Sequence, residues 1–113
     1  MSSHAARKLS VMAGPAFSFT APLFRWEQRP AFRMVTVPRD LADHLHLAGG
    51  PPRGFGSIRV DARIGATVWR TPIFPIGDGA FVLPVKRSVR TTERLADGDL
   101  VSVDLWPVDG PDA

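Results

Sequence analysis

Apolar and polar residues alternate through most of the chain, the period expected of strands with one buried face. Phe17, Phe19, Ala21 and Leu23 alternate with Ser18, Thr20 and Pro22 and predict a first strand. Glu27-Gln28-Arg29-Pro30 reads as a turn, and Phe32 to Val37 as a second strand. Ile58, Val60, Ala62 and Ile64 alternate with Arg59, Asp61 and Arg63, the cleanest period-two segment. Gly65-Ala66 then predicts a tight hairpin into Thr67–Phe74. Pro75-Ile76-Gly77-Asp78-Gly79 turns into Ala80–Val85, and Val101, Val103 and Leu105 mark a last strand.

Two segments break this pattern. Pro38 suits a first helical position, and Leu41, His44 and Leu45 recur at helical spacing up to Leu47. Gly49-Gly50-Pro51-Pro52 ends that helix. A second runs from about Lys86 to Arg94 with Val89 inward, ending before Asp97-Gly98-Asp99. Six strands in short hairpins, with helices after the second and fifth, predict a mainly β protein, a small closed or split β-barrel with two short helices. Met34–Leu41 and Val82–Val89 share one strand-to-helix form. That faint repeat predicts a pseudo-twofold pair of ββα-like halves. The expected organisation is a flexible extension over 1–15, a single barrel domain over 16–107 and a frayed tail over 108–113.

Composition narrows the function. A chain of 113 residues, 44% of them hydrophobic, is one domain with a genuine core. No apolar run approaches the ~18 residues of a membrane helix, so no membrane role is expected. The absence of cysteine excludes disulfides, thiolate metal sites and thiol catalysis. Arg7-Lys8 before Leu9–Ala13 imitates a signal peptide, but Gly14-Pro15 cuts it short, and the expected location is cytoplasmic. A pI near 10.6 points to nucleic acid, yet the net charge is only +3. With no Tyr or Cys and only Lys8 and Lys86, few groups release protons below pH 11, which inflates the pI. Residues 1–70 hold ten basic and four acidic side chains, and residues 71–113 four basic and seven acidic. Any basic field belongs to one face.

Three ordered motifs carry a family resemblance: Arg53-Gly54-Phe55-Gly56-Ser57-Ile58-Arg59-Val60, Thr67-Val68-Trp69-Arg70-Thr71-Pro72-Ile73-Phe74-Pro75, and Leu83–Arg90 followed by Gly98-Asp99-Leu100-Val101-Ser102-Val103. With Phe17 to Pro38 they resemble the bacterial domain of unknown function 1905 family over Phe17 to Trp106. The resemblance implies a double-split β-barrel of six to seven strands and carries no assigned activity. Pro72 departs from it, standing where a small hydroxyl residue is expected. Val35-Thr36-Val37-Pro38-Arg39-Asp40-Leu41 is also similar to the strand-to-helix signature of swapped-hairpin transcription factors, which dimerise and bind DNA through a basic β-surface. Fold analogy alone does not transfer that function.

The candidate chemistry is anion binding. Lys86 and Arg90 lie four apart on one helix face. Lys86 stands near the helix start, where the dipole disfavours a cation and an anion relieves the conflict. Arg70 is expected to complete a clamp on carboxylate or phosphate and Trp69 or Phe55 to stack on the organic part, while Arg53-Gly54-Phe55-Gly56 reads either as an anion nest or as a turn with a bulge that needs glycine. The competing reading is that Lys86 and Arg90 pair with Glu93, Asp97 or Asp99 and brace the barrel. Arg33, Arg39, Arg59 and Arg63 are the residues of the alternative, a nucleic-acid-binding regulator. Solvent-facing arginines on a sheet also need no function at all. His44 and His46 fall on opposite sides of a helix; Asp40 and His44 share a face, but two ligands make no zinc site. No nucleophile has an evident base and no carboxylate pair stands out. A non-catalytic binding module without metal or cofactor is therefore expected.

Overall fold

Six strands close into one antiparallel barrel in the computed structural model, which describes residues 17–48 and 56–108. The predicted extension over 1–15, the loop carrying Arg53 and Phe55, and the tail beyond Val108 lie outside the described residues. The elements are β1 (Phe17–Arg25), β2 (Arg33–Val37), α1 (Arg39–Ala48), β3 (Ile58–Ile64), β4 (Thr67–Gly77), β5 (Ala80–Pro84), α2 (Arg87–Glu93) and β6 (Leu100–Pro107). Around the ring the order is β1-β2-β5-β4-β3-β6.

Two long strands serve as corners. Residues Phe17 to Pro22 of β1 pair with β6, whereas Leu23 to Arg25 pair with β2. In the same way β4 pairs with β3 up to Ile73 and with β5 from Phe74 onward. Two sheets thus share β1 and β4, and the strands split between them. The Asp97–Asp99 loop is tied to the first corner, since Leu23 N–H donates to the Asp99 carbonyl at 2.9 Å and Gly98 N–H to the Leu23 carbonyl at 2.7 Å.

The period-two pattern puts one set of side chains inside. Leu23, Val35, Val37, Val60, Ala62, Ile73, Leu83, Val103 and Leu105 are buried together. The helices add Ala42, Leu45 and Val89 to the same core. α1 packs against β5 and β6, and α2 against β4. Met34, Val82 and Trp106 are also buried but do not belong to this cluster, so parts of the outer surface are covered as well.

Local differences from the expected elements have physical causes. Pro75 and Ile76 belong to β4 rather than to the turn, because a bulge between Pro75 and Gly77 lets the β4·β5 ladder continue past Pro75. The turn shrinks to Asp78-Gly79, with φ of 55° and 78°. α2 starts at Arg87 and stops at Glu93, where Arg94 takes the left-handed conformation (φ 56°) and Leu95 N–H donates back to the Arg90 carbonyl at 2.9 Å.

The pseudo-twofold pattern is written into the connectivity. Exchanging β1 with β4, β2 with β5 and β3 with β6 returns the same set of neighbours around the ring. The axis passes through the Val35–Leu83 pair of the β2·β5 ladder. The shift along the chain that carries Val35 onto Leu83 also carries Arg39, which opens α1, onto Arg87, which opens α2.

Candidate functional site

The β2·β5 register assembles the main candidate site. Met34 faces Pro84, and the ladder runs one pair further, with Val85 N–H donating to the Arg33 carbonyl at 2.9 Å. The chain therefore leaves β5 beside Arg33 and enters α2 there, bringing Lys86, Arg87 and Arg90 to the start of β2. The β1–β2 connection closes the other side. Phe32 is held in it by N–H donation to the Arg29 carbonyl at 2.9 Å and by accepting from Trp26 N–H at 3.0 Å. Between them lies a cavity of about 300 Å³, with Phe32, Pro84 and Val85 as its apolar wall and four cationic side chains around it: Arg33, Lys86, Arg87 and Arg90.

Two of these cations are fixed and two are not. Arg33 donates through Nε to Asp97 at 2.6 Å and through Nη1 to the Pro30 carbonyl at 2.6 Å. Arg90 donates through Nε to the Val85 carbonyl at 3.0 Å, which sets the guanidinium plane at the pocket wall. Lys86 and Arg87 are exposed and have no side-chain hydrogen bond or ion pair among the described residues. Desolvation is the main influence lowering the Arg90 pKa, and the Arg33 and Arg87 charges lower it further, against the pull of Asp97. The cluster is electrostatically unbalanced.

The acids that sequence reasoning offered as braces have other partners. Asp97 takes Arg33, Asp99 accepts from the Ala96 N–H at 2.8 Å, and Glu93 accepts from the Thr67 hydroxyl at 2.6 Å. The pseudo-twofold axis also provides an internal control. The positions equivalent to Arg33, Lys86 and Arg90 in the other half are Phe81, Pro38 and Ala42, and only Arg87 has a basic counterpart, Arg39. There Ala42 is buried in the core, and the Arg39 side chain lies across Gly79. The same strand-to-helix junction is thus built without three of the four cations.

Other expected site residues go elsewhere. Trp69 and Arg70 are neighbours on β4, so they point to opposite faces and cannot share the pocket. Trp69 is a core residue, its Nε1 buried without a partner among the described residues, while Arg70 lies outside and donates through Nε to Asp61 at 2.9 Å. Arg63 bonds Asp104 through Nε at 2.9 Å and through Nη2, and its guanidinium lies 5.4 Å from the Trp106 ring centre. Arg59 shares that face of β3. Since β2 and β3 stand three strands apart in a six-stranded ring, Arg33 lies across the barrel from Arg59 and Arg63. His44 places Nδ1 at 2.8 Å from the Asp40 carbonyl and stacks on Phe17. Phe32 lines the pocket but carries no sequence signal, because only the strand register brings it there, while Arg87 arrives as the chain neighbour of Lys86. A second, broader depression of about 840 Å³ lies beyond Asp97, against Phe24, Trp26 and Glu27, and mixes both signs of charge.

Residues 19–105 match the model of the domain of unknown function family DUF1905, well over half the chain. The chain belongs to the DUF1905 family. This DUF1905 barrel matches none of the curated proteins compared with it. Among its described residues no helix is long and apolar enough to cross a membrane.

Proposed function

We propose that this DUF1905 domain is a non-catalytic binding module for a small anionic ligand, seated between the start of β2 and α2. The observation that carries the reading is the convergence of Arg33, Lys86, Arg87 and Arg90 on one cavity of about 300 Å³ that a single carboxylate, Asp97, partly neutralises. Cavities of this kind, apolar with a few convergent polar groups, are the usual seats of small ligands. Arg90, held at Nε, presents its remaining N–H groups as a fork suited to carboxylate or phosphate, and Arg33, with Nε and Nη1 engaged, offers Nη2. The dispensability of three of these cations in the equivalent half supports a role in binding over one in bracing.

Backbone amide shifts followed during titration with a panel of small carboxylates and phosphates test this. Shifts are expected at residues 31–33 and 84–90, and should vanish in Lys86→Ala and Arg90→Ala variants that keep the wild-type melting temperature. Shifts confined to other surfaces, or unfolding of both variants without ligand, refute the proposal. The nucleic-acid alternative would draw on Arg33, Arg39, Arg59 and Arg63. It predicts binding to random-sequence DNA or RNA in fluorescence anisotropy, weakening with salt at a slope of roughly −0.9 per phosphate contact.

A further inference from the structure

We infer that the ligand of this pocket joins a dianionic head to an apolar body, as a phosphomonoester of a small aromatic or aliphatic alcohol does. The inference rests on the proposal that the pocket binds anions, and goes further by naming the class. Charge decides the head. Four cations surround the cavity and Asp97 offsets one, so a monocarboxylate leaves two positive charges facing each other where a phosphate dianion leaves one. The charges bearing on Arg90 itself are those of Arg33 and Arg87, which lower its pKa, and of Asp97, which raises it. Geometry agrees. Arg33 and Arg90 approach from different elements, each anchored by a backbone carbonyl, and Lys86 and Arg87, which have no side-chain partner among the described residues, can close on a third oxygen. A carboxylate has two oxygens to offer and a phosphomonoester three.

The wall decides the body. Phe32 is 45% exposed although its backbone is held on both sides. Its ring stands at the cavity with Pro84 and Val85, and the Arg29 guanidinium lies 5.8 Å from the ring centre. Inorganic phosphate would satisfy the cations and leave the exposed Phe32 ring in water.

Isothermal titration of the full chain at pH 7.5 with phenyl phosphate, inorganic phosphate and benzoate separates the possibilities. Phenyl phosphate is expected to bind at least tenfold more tightly than either of the others. Arg90→Gln should weaken phenyl phosphate about tenfold, as should the exposed change Lys86→Gln, which keeps the test alive if Arg90→Gln unfolds. Phe32→Ala should weaken phenyl phosphate and leave inorganic phosphate unchanged. At pH 5, below a second phosphate pKa of about 6, phenyl phosphate should fall toward benzoate. Benzoate binding as tightly as phenyl phosphate overturns the dianion, and inorganic phosphate doing so overturns the apolar body; either leaves the anion pocket standing. If none of the three binds the wild type, the anion-pocket reading falls and this inference falls with it.

Discussion

Asp104 makes the sharpest stability test in the molecule. It sits on β6 opposite Ser18 of β1 and Arg63 of β3, so one carboxylate links three neighbouring strands. It accepts from the Ser18 hydroxyl at 2.6 Å and from Arg63 through Nε and Nη2. Asp104→Asn keeps the side-chain volume and an oxygen for Ser18 but removes the charge facing Arg63. The two side chains are 32% and 24% exposed, between a surface ion pair at about 0.2–1 kcal/mol and a charged hydrogen bond at about 1.5–3 kcal/mol. Discounted for that exposure, the substitution should cost about 1.5 kcal/mol at pH 7, or roughly 6–12 °C in melting temperature for a domain of this size.

The pH dependence gives the sign. Burial pushes the Asp104 carboxyl up, but the hydrogen bonds from Ser18 and Arg63 and the Arg63 charge outweigh it, so the folded pKa lies below the ordinary 3.8. The stabilisation is therefore complete above the ordinary value and lost as pH falls through the lower, folded one. Urea midpoints for wild type and Asp104→Asn, measured from pH 7 to pH 2, should converge at the acid end, where protonated Asp resembles Asn. A gap that persists unchanged at pH 2, or one below about 0.5 kcal/mol at pH 7, refutes the reasoning.

Arg94 closes α2 at φ 56°, a conformation that costs a side-chain-bearing residue about 1–2 kcal/mol, so Arg94→Gly should raise the melting temperature slightly despite glycine's larger unfolded-state entropy. Gly65 opens the β3–β4 turn at φ 59°, and a methyl group there meets the Glu93 carboxylate that binds Thr67. Gly65→Ala should cost about 2 kcal/mol in denaturant unfolding, and less in a Glu93→Ala background, where the collision is gone. Leu83 is fully buried at the pseudo-twofold axis; Leu83→Ala should cost about 3 kcal/mol, measured by the same unfolding curves.

Most of the barrel was legible because the core-facing side chains recur at every second strand position, even where the outer face is also covered. The alternation from Ile58 to Ile64 and the Gly65-Ala66 hairpin carry both direction and register, and the Met34–Leu41 echo in Val82–Val89 carries the symmetry. The end of β4 was not legible, since Pro75 reads as a turn residue and only a bulge keeps it in the ladder. The site was legible in part. Lys86 and Arg90 stand four apart at the start of α2, a local relation that spacing reveals, although Lys86 is the extended residue that caps the helix and lies outside it. Arg87 follows Lys86 in the chain, whereas Arg33 and Phe32 join them through the β2·β5 register, a long-range relation with no local trace. The inward direction of Trp69 was available, for it alternates with Val68 and Arg70 as any strand residue must. Its aromatic ring reads as a recognition surface only when that alternation is set aside.

The exchange symmetry of the strands bears on how the molecule comes apart. Of the ladders that close the ring, β1·β2 and β4·β5 lie within one half, while β2·β5, β3·β6, β1·β6 and β3·β4 run between the halves. Neither half owns a core, because Val35 needs Leu83 and Ala62 needs Leu105. A fragment ending at Ile64 would expose the apolar faces of three strands and could bury them only against a second copy of itself. The intact chain should therefore open as one cooperative unit, with slow amide exchange in β2, β3, β5 and β6 governed by global unfolding rather than by the loss of a single hairpin.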